Sequence, residues 1–372
     1  MSAASSGLIG PLESLQQDDL ITDILVNGPD EVWVDRGAGL FRTGLRFGGH
    51  AELRAVAQRL AAACGRRLDD ASPYVDARLP DGTRVHAVLP PIARRGPYLS
   101  LRLFRRQVWA LRELVPADEA ALLCAVVAAR LAFVVTGSTG SGKTTVLNAL
   151  LGEVSPAERV VIVEDSAELR PAHRHVVALE ARTPNVEGAG AVTLRDLVRQ
   201  ALRMRPDRIV VGECRGPEVV DLLAALNTGH EGGAGTLHAN APADVPARFE
   251  ALALAGGLDR AALHAQLGAA APVVVHLRRQ GQLRVLDEVC LLVPGAGGLV
   301  TACRVWGRAE GPAPGAGRLA GLLTNRGVAV PGLLVDRGAE VGQHRLHGIK
   351  GPGRTQEFDR RAGDLGHRAG DR

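Results

Sequence analysis

The chain has 372 residues, of which 46% are hydrophobic and only 3% aromatic, enough for two domains and a sizeable buried core. Its 44 basic and 40 acidic residues leave a formal charge of +4, a small excess that neither demands nor excludes nucleic acid. The five cysteines are odd in number and lack C-x-x-C spacing, so they read as free thiols in a reducing compartment. No secretory leader opens the chain, and no uncharged apolar run approaches the ~20 residues that span a bilayer. A cytoplasmic protein is expected.

Residues 1–19 are polar and read as a flexible N-terminus. Ile21 to Leu40 reads as a short helix or turn followed by strands broken at Asn27-Gly28 and Gly37. Residues 50–64 place Leu53, Val56, Ala57 and Leu60 on one helical face. The stretch from Tyr74 to Ala93 alternates around Asp81-Gly82, a hairpin signal, and YLSLRLF should pair with it. Residues 20–104 therefore predict an N-terminal α+β domain with an antiparallel sheet, and 105–116 a hinge linker.

Pro116, Asp118 and Glu119 then open a helix, and LAFVVTG is a compact apolar strand. ERVVIVEDSAEL and DRIVVGECRG are two more strands, with helix-compatible sequence between them. This alternation is that of a mostly parallel sheet covered by helices. VVVHLRR and LRVLDEVCLLV follow as strands joined at Gln280-Gly281, so the second domain runs over 117–293. Residues 294–344 read as a small C-terminal region with one helix, and 345–372 as a disordered tail.

The strongest motif is GSTGSGKT: Gly137, Ser138, Thr139, Gly140, Ser141, Gly142, Lys143 and Thr144, with Thr145 next. It satisfies G-x-x-x-x-G-K-[ST] between a strand and a helical segment. Glycines let the backbone curl so that N–H groups face a phosphate, and the helix adds its positive end. Lys143 can reach the β- and γ-phosphates and Thr144 can ligate Mg²⁺, so ATP and Mg²⁺ are the expected ligands.

Hydrolysis also needs groups that align water and support the metal. Glu164 and Asp165 end one predicted strand and Glu213 the next, where open α/β sheets place ligands. Glu213 is the candidate base; Glu164 and Asp165 are candidates for Mg²⁺ contact, partly through water. His230 and His238 lie in the glycine-rich segment NTGHEGGAGTLHAN, suited to sensing the γ-phosphate. Arg78, Arg84 and Arg102 precede the hinge, and a guanidinium among them could meet charge developing on the phosphoryl group.

ITDILVNGP, DARLPDGTR, VVTGSTGSGKTTVLNAL, VIVEDSAEL and the long block from VTLRDLVRQALRMRPD to TLHAN resemble the type II/IV secretion-system ATPases. The nearest group is the TadA/CpaF branch of Flp or tight-adherence pili, with the actinobacterial helicase/secretion-neighbourhood ATPases similar too. The resemblance implies an α/β fold: a RecA-like P-loop ATPase domain behind a smaller N-terminal α+β domain. It further implies a hexameric ring, an inner-membrane platform protein as partner, and peripheral association with the inner face of the plasma membrane. Glu213 matches the atypical Walker B glutamate, EDSAEL the Asp box, and His230 and His238 the His box. Arg205 and Arg215 become additional site contacts, and which of Arg78, Arg84 and Arg102 reaches ATP stays open. His86 and Cys214 depart from common family residues, and the chain beyond 293 does not follow the family. Nucleic acid is not expected, for no aromatic-basic stacking platform is present. The alternative is a conjugation-type or DNA-associated RecA-like translocase.

Overall fold

In the computed structural model of the protein, the described residues are 8–18, 20–37, 39–103, 109–182, 189–270, 272–281 and 283–335. Part of the predicted hinge, 105–108, and the whole of the predicted disordered tail lie outside them.

Six short strands build the first sheet: β1 (Asp23–Val26), β2 (Val32–Asp35), β3 (Leu40–Arg42), β4 (Tyr74–Arg78), β5 (Arg84–Val88) and β6 (Tyr98–Arg102). They are antiparallel throughout, in the order β3-β2-β1-β6-β5-β4. The alternation along β1, β2 and β5 turns every second residue inward, as the two-residue period of a half-buried strand requires. Helix His50–Ala63 covers that inner face with Leu53, Val56, Ala57, Leu60 and Ala61. Ile9 and Leu12 are buried in the same core, 2% and 0% exposed. Residues 8–12, expected to be flexible, are docked here, with Leu8 and Leu15 packing against the same core beside Ile9 and Leu12.

The second sheet has nine strands. They are β7 (Phe133–Gly137), β8 (Val160–Glu164), β9 (Val176–Glu180), β10 (Arg208–Val211), β11 (Ala234–His238), β12 (Val273–Gln280), β13 (Leu283–Pro294), β14 (Val300–Gly307) and β15 (Gly311–Pro312). Their order is β15-β14-β13-β12-β7-β11-β10-β8-β9; β12 through β9 are parallel, and β13 to β15 extend the sheet antiparallel. β7, β8 and β10 are buried along their whole length because apolar clusters pack on both faces. That is why their sequences read as unbroken Val/Ile runs. β9 escaped the sequence reading because HVVALE alternates at the sheet edge, with no buried run to mark it.

The chain beyond residue 293 is not a separate small region. β14 pairs with β13 over seven register positions, and helix Ala316–Asn325 sets Leu319 and Leu323 into the same core as Val135 and Leu147. Trp306 and Leu334 join them. A buried bidentate pair, Arg308 to Glu119 at 2.7 and 2.9 Å, ties this extension to helix Ala117–Ala128. Weak periodicity in a Gly/Ala/Pro-rich segment concealed strands whose partners lie earlier in the chain. No helix among the described residues is long and apolar enough to cross a membrane.

Candidate active site

β7 ends in the middle of the parallel sheet, and the phosphate loop follows it. Gly140 and Gly142 take φ of +72° and +92°, left-handed values that side chains disfavour, and helix Lys143–Gly152 begins at once. A Cβ on Gly137 would lie 2.4 Å from the Leu277 carbonyl oxygen on β12, so only glycine closes the strand here. Lys143 Nζ donates to the Gly137 and Ser138 carbonyls at 3.1 and 2.9 Å, and burial pushes its ammonium below its ordinary pKa. Ser141 is fully buried, and its Oγ has no hydrogen-bond partner. A curled backbone with one buried lysine and one unmatched hydroxyl fits a triphosphate.

Parallel pairing brings the other groups to the same edge. His238 at the end of β11 stands level with Gly137, and β10 leads into Gly212 and Glu213 beside it. His238 Nδ1 is 3.4 Å from Lys143 Nζ, and its Nε2 is 2.9 Å from Glu213 Oε1. The second Glu213 oxygen accepts from Arg215, which also lies 3.8 Å from Asp165. Lys143, His238, Glu213, Arg215 and Asp165 thus form one polar chain along the lip of the loop. His238 is held below its ordinary pKa by burial and by the Lys143 charge, while burial raises Asp165 against the pull of Arg215.

Glu164 occupies a different environment from that expected of a metal contact. It is 4% exposed, and its Oε1 accepts from the Glu168 and Leu169 amides, both at 3.0 Å. Burial drives its pKa up to about 7. It therefore clamps the turn after β8, and Gly212 must be glycine beside it, since a Cβ there would lie 2.6 Å from Glu164 Cγ. The clamp presents Glu168 instead, whose Oε2 accepts from Thr144 Oγ1 at 3.4 Å. Sequence reasoning missed Glu168 because it took the strand's last residues as the ligands. The acidic repeat within EDSAEL was the available signal.

His230 precedes β11 and lies toward the opposite edge of the sheet from His238, because a strand rises about 3.3 Å per residue. Arg84 is engaged by Asp76 at 2.6 Å and Arg102 by Asp23 at 3.1 Å, both within the first domain. Arg78 hydrogen-bonds across to the second domain, and the charge of Glu168 there also bears on Arg84. Arg78 donates to Glu180 Oε1 at 2.8 Å, to Ser166 Oγ at 3.0 Å and to the Ala167 carbonyl. Arg205 takes a left-handed φ of +52° before the Pro206 turn, on the side of the sheet where β10 starts, remote from the loop. Another buried pair went unpredicted, Thr136 Oγ1 and His276 Nδ1, 2.9 Å apart on β7 and β12.

The cation fits as well. Among the described residues no cluster of three or more His, Cys, Asp or Glu could hold a metal ion unaided. A single hydroxyl, Thr144, backed by a carboxylate suits Mg²⁺, which keeps most of its water and takes its remaining oxygens from phosphate.

Comparison with known proteins agrees with this geometry. The family model described as "Type II/IV secretion system protein" matches residues 7–288. A "Putative conjugal transfer protein" of Mycobacterium tuberculosis is 56% identical over 332 residues, covering 86% of this chain and 94% of that one. The type IV secretion system protein PtlH of Bordetella pertussis is 38% identical over 247 residues, 59% of this chain and 73% of its own. The structure of the Yersinia pseudotuberculosis ATPase DotB superposes with a TM-score of 0.54 at 16% identity, covering 82% of this chain and 79% of that one, a likeness of fold. The chain belongs to the type II/IV secretion system protein family, and its fold is a RecA-like P-loop ATPase domain with a β-rich N-terminal domain.

Proposed function

We propose that the protein hydrolyses ATP to ADP and phosphate, dependent on Mg²⁺, as a homo-hexameric ring of the TadA/CpaF kind. The ring works at the inner face of the plasma membrane on a platform protein of a pilus or secretion machine. The observation that carries the chemistry is the His238 bridge between Lys143 and Glu213 at the phosphate loop. Mg²⁺, when bound, would neutralise phosphate charge and orient the β- and γ-oxygens.

The residues then divide the work. The loop amides of 138–144 and the Lys143 ammonium bind the phosphates, with Thr145 in the first turn of the helix. Glu213 takes the proton of the attacking water, and Glu168 beside Thr144 orders water around the cation. Arg215 and Asp165 hold Glu213 in place. Arg78 couples hydrolysis to movement, since it joins the N-terminal domain to the turn after β8. Loss of the γ-phosphate would change the charge these groups share and let the domains shift.

The test is phosphate release from purified protein with and without Mg²⁺, beside Lys143→Ala, with particle mass measured in ATP. Rapid release lost in the variant, from particles six chains in mass, supports the reading; equal release from both ends it. A second reading, a conjugation-type translocase acting on DNA, is favoured by the name of the mycobacterial relative. Stimulation of hydrolysis by DNA at physiological salt would select it.

A further inference from the structure

The β12–β13 hairpin overhangs the phosphate loop. Leu277 on β12 is level with Gly137, so Arg278, Arg279 and Gln280 run past the end of β7 before the chain reverses at Gly281. β13 returns with Arg284 opposite Arg279. Arg284 Nε donates to the Gly140 carbonyl at 2.8 Å, and its Cδ lies 3.2 Å from where a Cβ on Gly142 would stand.

A phosphate loop whose N–H groups are to receive a ligand needs its carbonyls held by other donors. Lys143 donates to the Gly137 and Ser138 carbonyls, and Arg284 to that of Gly140 from the hairpin. The Gly140 carbonyl and the Ser141 N–H belong to one peptide unit, and that N–H donates to the Ser138 carbonyl at 3.3 Å, so Arg284 holds this turn of the loop from the carbonyl side. The neighbouring arginines of the hairpin are held elsewhere: Arg278 by Asp287 at 2.9 Å, and Arg279 by the Gly281 carbonyl at 3.0 Å. Burial and the Arg279 charge act against the Arg284 cation, and the charge of Asp35 on β2 acts for it.

We propose that Arg284 is a positioning residue for nucleotide binding, clamping the phosphate loop from the β12–β13 hairpin in the shape that receives the triphosphate. This rests on the reading of that loop as an ATP site. In the full-length protein, affinity for a non-hydrolysable ATP analogue with Mg²⁺ is measured alongside KM and kcat for wild type, Arg284→Ala, Arg284→Lys and Arg279→Ala. Loss of a charge-assisted hydrogen bond predicts that Arg284→Ala weakens affinity and raises KM about tenfold, with kcat lowered less than about threefold. Arg284→Lys keeps the charge without the Nε donor and should recover part of the loss, with Arg279→Ala close to wild type. Wild-type KM and affinity in Arg284→Ala, or a loss confined to kcat, overturns the proposal. Should that variant not fold, as read by thermal melting, Arg284→Lys decides: a raised KM supports the clamp and a wild-type KM overturns it. Wild-type protein that fails to bind the analogue would instead sink the ATP-site reading.

Discussion

His238 Nε2 stands 2.9 Å from Glu213 Oε1, one at the end of β11 and the other just past the end of the adjacent parallel strand β10. The other ring nitrogen faces Lys143 Nζ, and an ammonium can only donate. Nδ1 is therefore the acceptor and Nε2–H the donor to Glu213, which makes the imidazole neutral. This one tautomer relates the phosphate-binding lysine to the candidate base, and the expectations below follow from it and from the packing around it.

Glu213→Gln keeps the size of the side chain and its bond to His238 but cannot take a proton. ATP binding should persist while turnover falls by about 100-fold or more. Filter binding and phosphate release on the same preparation check this; turnover at the wild-type rate removes Glu213 from the base role.

The lowered pKa of His238 sets a pH profile. The ring is neutral above the ordinary histidine value of 6.5, and protonation on the acid side places a cation against Lys143. Hydrolysis should be level from pH 8 down to that value and fall below it. His238→Gln, which cannot charge, should flatten the acid limb at a reduced rate. An acid limb that survives in this variant would assign the titration elsewhere.

The three N-terminal arginines should rank by reach. Arg78→Ala removes the contacts to Ser166, Ala167 and Glu180, and kcat should fall about tenfold or more. Arg84→Ala and Arg102→Ala lose exposed ion pairs within the first sheet, worth about 1 kcal/mol or less each, and should hydrolyse ATP near the wild-type rate. Steady-state kinetics on the three variants would show it; equal losses would contradict the ranking.

Burial raises Glu119 to about 7 in spite of Arg308, so inside the fold it holds its proton below that pH. Stability from this group is present below its ordinary value of 4.5 and declines as pH rises toward 7. Arg308→Met strands the carboxylate and should cost about 3 kcal/mol or more at pH 8, and visibly less at pH 5.5, where Glu119 takes up a proton. Chemical denaturation at the two pH values measures the difference. An equal loss at both would mean that Glu119 stays ionised.

The sequence by itself determined the phosphate loop, the carboxylates that follow the strands, and the two-domain order. Those signals are local: glycines at fixed spacing before Lys143, buried runs of Val and Ile, and period-two alternation around Asp81-Gly82. It could not rank residues of one chemical type. EDSAEL offers three acids, and only the turn that buries Glu164 against Gly212 and the Glu168 and Leu169 amides decides that Glu168 faces Thr144. Likewise, three arginines were equivalent until strand pairing gave Asp76 to Arg84 and Asp23 to Arg102, leaving Arg78 to cross to the second domain. The histidines were separated by the length of β11, and Arg284 reached the loop only because β12 pairs with β7. Strand order and register are agreements between segments far apart in the chain, fixed by burial of whole faces, and no window of sequence contains them.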